Sequence, residues 1–229
     1  MKEGKEMLIE YLISIIETRD FYAEHHCEKV KRFTEILLEK LQIFCPEYNL
    51  TPQKCEYIAF AAMTHDIGKI AVPDRILHKP GRLDHDEFQI MQNHTRKGKK
   101  IFEHVQKNIK KSGEEQDLFP YCAEVCMYHH ERFDGGGYPQ GLKKDDIPIS
   151  AQVVGLADAY DVLISDRIYK QAYSDAEAFD MIVEGQCGIF NPRLIEIFSM
   201  VRMEFEEVHE EIGLIAKVTS SAEVNSTAR

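Results

Sequence analysis

Residues Leu118–Gly141 read LFPYCAEVCMYHHERFDGGGYPQG, and in this stretch an apolar helical pattern runs into two adjacent histidines. The inward-facing positions recur every three or four residues, at Leu118, Cys122, Val125, Cys126 and His129. Three consecutive glycines and a Tyr-Pro pair come after the histidines. The stretch therefore predicts a helix whose buried face ends in an imidazole, followed by an irregular loop.

Polar side chains interrupt apolar helical faces at three other places. An apolar stripe ends at His65, and Asp66 follows it directly. His94 lies one turn beyond an apolar pair, and the helix containing VVGLADAY carries Asp158 and Asp161 on one face. A carboxylate buried alone on such a helix would cost several kcal/mol. These residues therefore need partners in the core.

Helical patterns account for nearly the whole chain, with no run of alternating strand pattern and no internal repeat. Four helix starts are marked by capping signals, at Thr51-Pro52, Asp84 with Glu87, Ser174 with Glu177, and Asn191-Pro192. Residues 1–16 have apolar pairs one turn apart, which is typical of an amphipathic helix, and 211–229 form a polar C-terminal tail. We expect one all-α domain between them.

The composition excludes several classes of function. The chain has 229 residues, 44% of them hydrophobic, and a net charge of −11, which argues against binding to a nucleic-acid polymer. No apolar run is long enough to span a bilayer. Six cysteines without a CxxC pair indicate reduced thiols, so we expect a cytoplasmic protein with no membrane partner.

Imidazoles and carboxylates that converge in a helical core indicate a divalent metal site. Adjacent residues of a helix point about 100° apart, so His129 and His130 are expected to reach two different ions. Two ions roughly 3.5–4 Å apart can activate a water and clamp both ends of an in-line displacement at phosphorus. The alternative is a neutral histidine cluster held by hydrogen bonds, which would leave Asp66 and Asp158 without a counter-charge.

Three stretches together resemble a known family: THDIGKIAVPDRILHKPGRL from Thr64, HHERFDGGGYPQGL from His129 and ADAYDVLISDRIYK from Ala157. They resemble the HD-GYP family, a branch of the HD metal-dependent phosphohydrolases that hydrolyse cyclic dinucleotides. The similarity runs from about Glu17 to Ile197. It implies a single HD-type helical bundle with a metal centre in its core, and places a catalytic domain at 17–210.

The resemblance implies a role for each matching residue. The metal ligands would be His65, Asp66, His94, His129, His130 and Asp158, with His26 as a further ligand in some members. Asp66 would bridge two divalent ions, with Fe or Mn favoured, and would be catalytic together with Lys69, which would hold a phosphate oxygen. The other substrate contacts would be Gly137, Tyr138, Pro139, Asp161, Arg167 and Lys170. The glycines after the histidines allow positive φ and a close approach of the backbone to a bulky ligand.

The chain departs from the family pattern at three places. Ile168 stands where the family often has Pro, and CGIFNP (Cys187–Pro192) replaces a Thr-His-Phe-Asp-Pro sequence. Tyr22 occupies the position four before His26, where some members carry a glutamate for a third metal. We therefore expect two ions, not three.

The resemblance favours a phosphodiesterase that opens cyclic di-GMP to the linear dinucleotide, and it leaves open whether that product is cleaved further to GMP. Three alternatives stay open from the sequence. They are a phosphodiesterase for another cyclic dinucleotide such as cyclic GMP-AMP, a non-catalytic receptor or interaction module, and a general HD nucleotidase. A homodimer or a signalling partner is also left open.

Overall fold

The computed structural model describes residues 13–14, 17–19, 25–108, 115–166 and 171–227, with the backbone alone at 115–116 and 216–227. No β-strand occurs in this part of the chain, so the predicted all-α class is confirmed. The α-helices are α1 His26–Phe44, α2 Pro52–Met63, α3 Asp74–Leu77, α4 His85–Asn108, α5 Glu115–Tyr128, α6 Ile149–Ile164, α7 Asp175–Val183, α8 Pro192–Met200 and α9 Arg202–Thr227. Short 3-10 helices lie at Pro46–Tyr48, Ile67–Ala71 and Lys144–Asp146.

The predicted helix starts are confirmed. Thr51 Oγ1 accepts from the backbone N–H of Lys54, and Ser174 with Glu177 forms a full capping box. Asp84 and Glu87 exchange two backbone-to-carboxylate bonds of 2.9 Å each, and the Asn191 side chain caps α8. Each cap satisfies N–H groups that a helix leaves unpaired at its start.

Helix α6 forms the centre of the bundle. Nearly all of its residues are buried, including Tyr160 and both aspartates of the sequence DAYD. It packs against α1, α2, α5 and α7. Phe33 stacks on Phe205 with ring centroids 4.4 Å apart, and Tyr160 meets both rings edge-on. Burial of such rings supplies the main driving force for closing the bundle around α6.

Two glycines allow backbone contacts that position the future site residues. A Cβ on Gly68 would lie 1.9 Å from the carbonyl oxygen of His94, so only glycine lets the turn after Asp66 pack on α4. A Cβ on Gly155 would lie 2.2 Å from the carbonyl oxygen of His129. The turn after α2, the middle of α4 and the end of α5 are thereby held together around α6.

The C-terminal segment, expected as a polar tail, is helical as far as Thr227. Helix α9 runs without a break from Arg202 to Thr227, so the limit at 210 does not coincide with an end of secondary structure. Phe205, Val208 and Ile212 are buried at helical spacing and carry the helix past that limit. The expected helix at 1–16 lies mostly outside the described residues. None of the described helices combines the length and the apolar character needed to cross a membrane.

Candidate metal centre

The predicted ligands come from five separate elements and meet in one place. His26 opens α1, His65 and Asp66 form the turn after α2, and His94 lies in the middle of α4. The remaining ligands follow α5 or lie within α6, and these are His129, His130 and Asp158. Their ligand atoms form three overlapping groups, each with all atoms within 4.8 Å of one another.

Three of the histidines are oriented by a carbonyl of their own segment. The Nδ1 atoms of His65, His94 and His129 lie 2.7, 2.7 and 2.9 Å from the carbonyl oxygens of Ala62, Met91 and Val125. A carbonyl only accepts, so Nδ1 donates in each pair and Nε2 is the nitrogen left to bind a metal. All three Nε2 atoms therefore face the centre as potential metal ligands.

The centre contains buried acceptors that no described group satisfies. Asp66 Oδ1, His94 Nε2 and His129 Nε2 are buried without a hydrogen-bond partner in the described part of the chain. Asp66 Oδ1 lies 3.3 Å from His94 Nε2 and 3.9 Å from His129 Nε2. Lone pairs that converge in this way repel each other unless a cation lies between them. Imidazole nitrogen with carboxylate oxygen suits a divalent transition metal, so the residues fit the ion that the sequence implies.

The alternative of a neutral, hydrogen-bonded histidine cluster does not account for these unsatisfied atoms. The second group comprises His26, His65 and Asp66, and the third comprises His65, His129 and Asp158. His26 Nε2 lies 3.2 Å from His65 Nε2 and 3.6 Å from Asp158 Oδ1. Asp66 belongs to two of the groups, which supports its predicted place between two ions.

The charges of the centre are strongly perturbed. Burial alone lowers the pKa of His65, but Asp66 and Asp158 outweigh it and raise that pKa to about 9. Burial alone raises the pKa of Asp66, but Lys69, 2.8 Å from Asp66 Oδ2, and His65 hold it well below its usual value. Burial and the charge on His65 lower the pKa of His129 to about 3. The centre thus keeps an ionised Asp66 beside a neutral His129.

His129 and His130 do not sit as the sequence predicts. Helix α5 ends at Tyr128, so both residues lie in a turn and the helical angle between neighbours does not apply. Their ring centroids are 4.0 Å apart, and both belong to the group that contains Asp66 and His94. His129 also belongs to the group with His65 and Asp158. The helical angle between neighbours therefore gives no support for dividing His129 and His130 between two ions, and that division stays a prediction.

The loop that carries Gly137, Tyr138 and Pro139 covers the His130 side. The Tyr138 ring lies 4.5 Å from the His130 ring, and the Tyr138 N–H donates to the His130 carbonyl. Of the three consecutive glycines only Gly135 has positive φ. Gly137 serves close packing instead, because a Cβ there would lie 2.4 Å from the His130 carbonyl oxygen. The backbone of Gly137 therefore packs against the backbone of His130 to Arg132, and this close contact is with the protein and not with a ligand.

Two residues next to the histidine pair were not predicted to belong to the site. Glu131 is buried and accepts from the backbone N–H groups of Gln140 and Leu142, at 2.7 and 3.0 Å, so it clamps the loop. Arg132 donates to three backbone carbonyls and stacks on Phe190. Two adjacent charges directly after a buried histidine pair are the signal that could have identified them.

Asp161 also lies elsewhere than predicted. Its side chain is 1% exposed, and it is bound to His26, Lys29 and Ser165 instead of facing a substrate. Its position one turn beyond Asp158 on α6 turns it toward the start of α1. The other two predicted contacts beyond α6, Arg167 and Lys170, lie outside the described residues, as does Tyr22.

A cavity of about 260 Å³ opens over the centre. Its lining comprises Asp66, Lys69, His130, Arg132, Asp158, Ala159, Val162, Leu163 and Cys187. Three predicted metal ligands thus face a space that also presents two cationic side chains. Two cationic side chains beside a metal centre suit an anionic ligand.

Comparison with known proteins agrees with this geometry. The model of the HD domain family matches residues 17–194. A "Probable cyclic di-GMP phosphodiesterase" of Vibrio cholerae is 39% identical over 88% of this chain and 45% of its own length. A "Cyclic di-GMP phosphodiesterase" of Thermotoga maritima is 37% identical over 88% of this chain and 50% of its own length. A "3'3'-cGAMP-specific phosphodiesterase 2" of Vibrio cholerae is 32% identical over 86% of this chain and 35% of its own length.

The chain therefore spans half or less of the length of these relatives. Among solved structures, an HDG"Y"P protein from Bdellovibrio bacteriovorus superimposes with a TM-score of 0.55. That likeness covers 78% of this chain and 52% of the other at 20% identity, and it supports the fold alone. Together with the helical bundle and the converging His-Asp centre, the family model and the similar sequences show that the chain belongs to the HD domain family, in its HD-GYP branch.

Proposed function

We propose that this protein is a metal-dependent phosphodiesterase of cyclic dinucleotides, with cyclic di-GMP as the favoured substrate. The observation that carries the proposal is the set of buried acceptors that no described group satisfies, Asp66 Oδ1, His94 Nε2 and His129 Nε2, beside a cavity that Asp66 lines together with Lys69 and Arg132. The names of the similar proteins support the choice of substrate.

The residues proposed to hold two divalent ions, Fe or Mn, are His26, His65, Asp66, His94, His129, His130 and Asp158. When bound, such ions would lower the pKa of a water and stabilise the negative charge on the phosphoryl oxygens. Asp66 is the ligand proposed to be shared, because it lies in two of the three groups. The carbonyl-held histidines keep their Nε2 lone pairs aimed inward, so these ligands are oriented before an ion arrives.

Lys69 is proposed to bind a non-bridging oxygen of the scissile phosphate. Its ammonium already lies 2.8 Å from Asp66 Oδ2 and lines the cavity. A cation held at this place can stabilise negative charge on the phosphoryl oxygens without moving. Arg132 lines the same cavity, but its Nε and Nη1 are bound to carbonyls, so its part is to fix the wall and add positive charge.

The loop residues Gly137, Tyr138 and Pro139 are proposed to form the edge over which a base or sugar lies. Tyr138 contributes an aromatic face against His130, and Arg96 donates to the Pro139 carbonyl from outside. Beyond α6, Arg167 and Lys170 are proposed to contact the second phosphate or a base. Together these groups would position a large ring across the cavity.

Two ions and not three are proposed, because Tyr22 supplies a neutral phenol where a third ion needs a carboxylate. Metal analysis of aerobically and anaerobically purified protein tests this number. Close to three equivalents per chain would contradict it. With two ions, we expect the cyclic substrate to be cleaved faster than the linear dinucleotide.

The function is tested by turnover of metal-loaded protein against cyclic di-GMP, 3′3′-cGAMP and linear diguanylate. The expected result is fastest hydrolysis of cyclic di-GMP, with no turnover after removal of the metal by a chelator. Faster hydrolysis of 3′3′-cGAMP would instead favour the second candidate, which rests on the 32% identical relative of that specificity. Binding of a cyclic dinucleotide without hydrolysis of any would favour a receptor.

The cytoplasm is the proposed compartment. All six cysteines carry free thiols, among them the buried Cys122 and Cys126. Free thiols of this number are typical of a reducing environment.

A further inference from the structure

Lys29 is a buried lysine with defined partners. It lies on α1 one turn after His26, and it is 8% exposed. Its ammonium lies 2.5 Å from Asp161 Oδ1 and donates to Ser165 Oγ at 2.8 Å. Lysine is rarely buried unless it is paired, so this arrangement calls for a functional or structural reason.

The carboxylate that Lys29 binds also holds His26. Asp161 Oδ2 lies 2.6 Å from His26 Nδ1, and an ionised carboxylate only accepts, so Nδ1 donates. His26 Nε2 then keeps its lone pair, which lies 3.2 Å from His65 Nε2 and 3.6 Å from Asp158 Oδ1. His26 is thereby oriented toward the metal centre.

Lys29 determines which oxygen of Asp161 faces His26. Oδ1 is occupied by the ammonium and by the hydroxyl of Ser165, which lies 3.3 Å away, so Oδ2 is left for the imidazole. Without Lys29 the buried carboxylate would lack a counter-charge, and only the longer bond from Ser165 would hold Oδ1. The chain of contacts runs from Lys29 through Asp161 to His26.

We propose that Lys29 and Asp161 form a buried ion pair that positions His26 as a metal ligand. Both are positioning residues, since neither is placed in contact with an ion or substrate. The inference rests on the metal centre of the proposed function and is independent of the substrate.

The test measures binding of Mn²⁺ alone to the full chain, by equilibrium dialysis without nucleotide. Lys29→Met is expected to lower the affinity for one Mn²⁺ ion per chain by about 10-fold to 100-fold, as is usual when a partner of a metal-ligating histidine is lost. The matched control is Lys31→Met, which removes a half-exposed lysine from the same helix and leaves Mn²⁺ binding unchanged. Wild-type Mn²⁺ affinity in Lys29→Met would overturn the proposal.

A double-mutant cycle separates positioning from general stability. In a His26→Ala background, Lys29→Met is expected to have no further effect on Mn²⁺ affinity, because the residue through which it acts is gone. An undiminished loss in that background would show a structural role and overturn the proposal. If Lys29→Met does not fold, Asp161→Asn enters the same cycle with the same two readings.

The outcomes also separate this inference from the proposed function. Protein that binds Mn²⁺ in the expected pattern but cleaves no dinucleotide would contradict the function and leave the positioning pair standing. If the protein cleaves cyclic di-GMP but Lys29→Met binds Mn²⁺ with wild-type affinity, the proposed function would stand and the positioning role of Lys29 would be contradicted.

Discussion

His94 and His129 are oriented by carbonyls of their own helices, whereas His26 is oriented by a carboxylate 135 residues away in sequence. We call the first the backbone-held side, which also includes His65, and the second the carboxylate-held side. The position of a carbonyl three or four residues earlier is fixed by the local helical backbone. A carboxylate on another helix is in place only when the bundle is correctly closed. The backbone-held side should therefore tolerate distant substitutions that disturb the carboxylate-held side.

The largest effect is expected when both sides lose their shared residues. Each of the three ligand groups contains His65 or Asp66, so His65→Ala with Asp66→Ala should abolish Mn²⁺ binding and turnover together. Metal content and hydrolysis of cyclic di-GMP measure the result. His104→Ala, on an exposed position of α4, is the control and should change neither. Full metal content with full turnover in the double variant would show that the centre lies elsewhere.

Lys69→Ala should keep metal binding on both the backbone-held and the carboxylate-held side but lower the rate of hydrolysis. The substitution removes a cation that competes for Asp66, so Mn²⁺ binding should not weaken. The loss of one charge-assisted contact in the transition state should cost about 2–4 kcal/mol, seen as a lower kcat. Lys99→Ala, which breaks a surface pair with Glu103, is the control. Wild-type kcat in metal-replete Lys69→Ala would refute a role in catalysis.

Gly68→Ala tests the packing of the backbone-held side. The added Cβ would lie 1.9 Å from the His94 carbonyl oxygen and would push the Asp66 turn away from α4. We expect a loss of about 3 kcal/mol in the free energy of unfolding, measured by denaturant titration. Gly213→Ala provides the matched control, because a Cβ there has open space within helix α9 and should stabilise by up to roughly 1 kcal/mol. Equal stability changes for the two variants would contradict the close-packing interpretation.

The smallest effect is expected at the loop beside His130. Glu131→Gln keeps the shape of the side chain but removes the charge that accepts from the Gln140 and Leu142 N–H groups. A loss of about 1–2 kcal/mol should appear as roughly tenfold faster hydrogen exchange at these two amides. Glu39→Gln, on an exposed position of α1, should leave both exchange rates unchanged. Unaltered exchange in Glu131→Gln would mean that the loop is held by other contacts.

Local signals made much of the protein predictable. Helix caps such as Thr51 and Ser174 act within one turn, so their sequence pattern suffices. The inward direction of His65, His94 and His129 also follows from apolar periodicity. The sequence did not show where the chain leaves regular structure, as at the end of α5 before His129 and His130, or where a side chain has a distant partner, as at Asp161.

The sequence by itself determined the all-α class, the start of each capped helix and the residue types that converge on a metal, because these depend on spacing within single segments. Only the tertiary structure decided that Asp161 holds His26, that Glu131 clamps the loop, and that Gly68 is needed for its contact with His94. These features depend on which helices meet and in what orientation. Such contacts join residues far apart in the chain, and no local spacing encodes them.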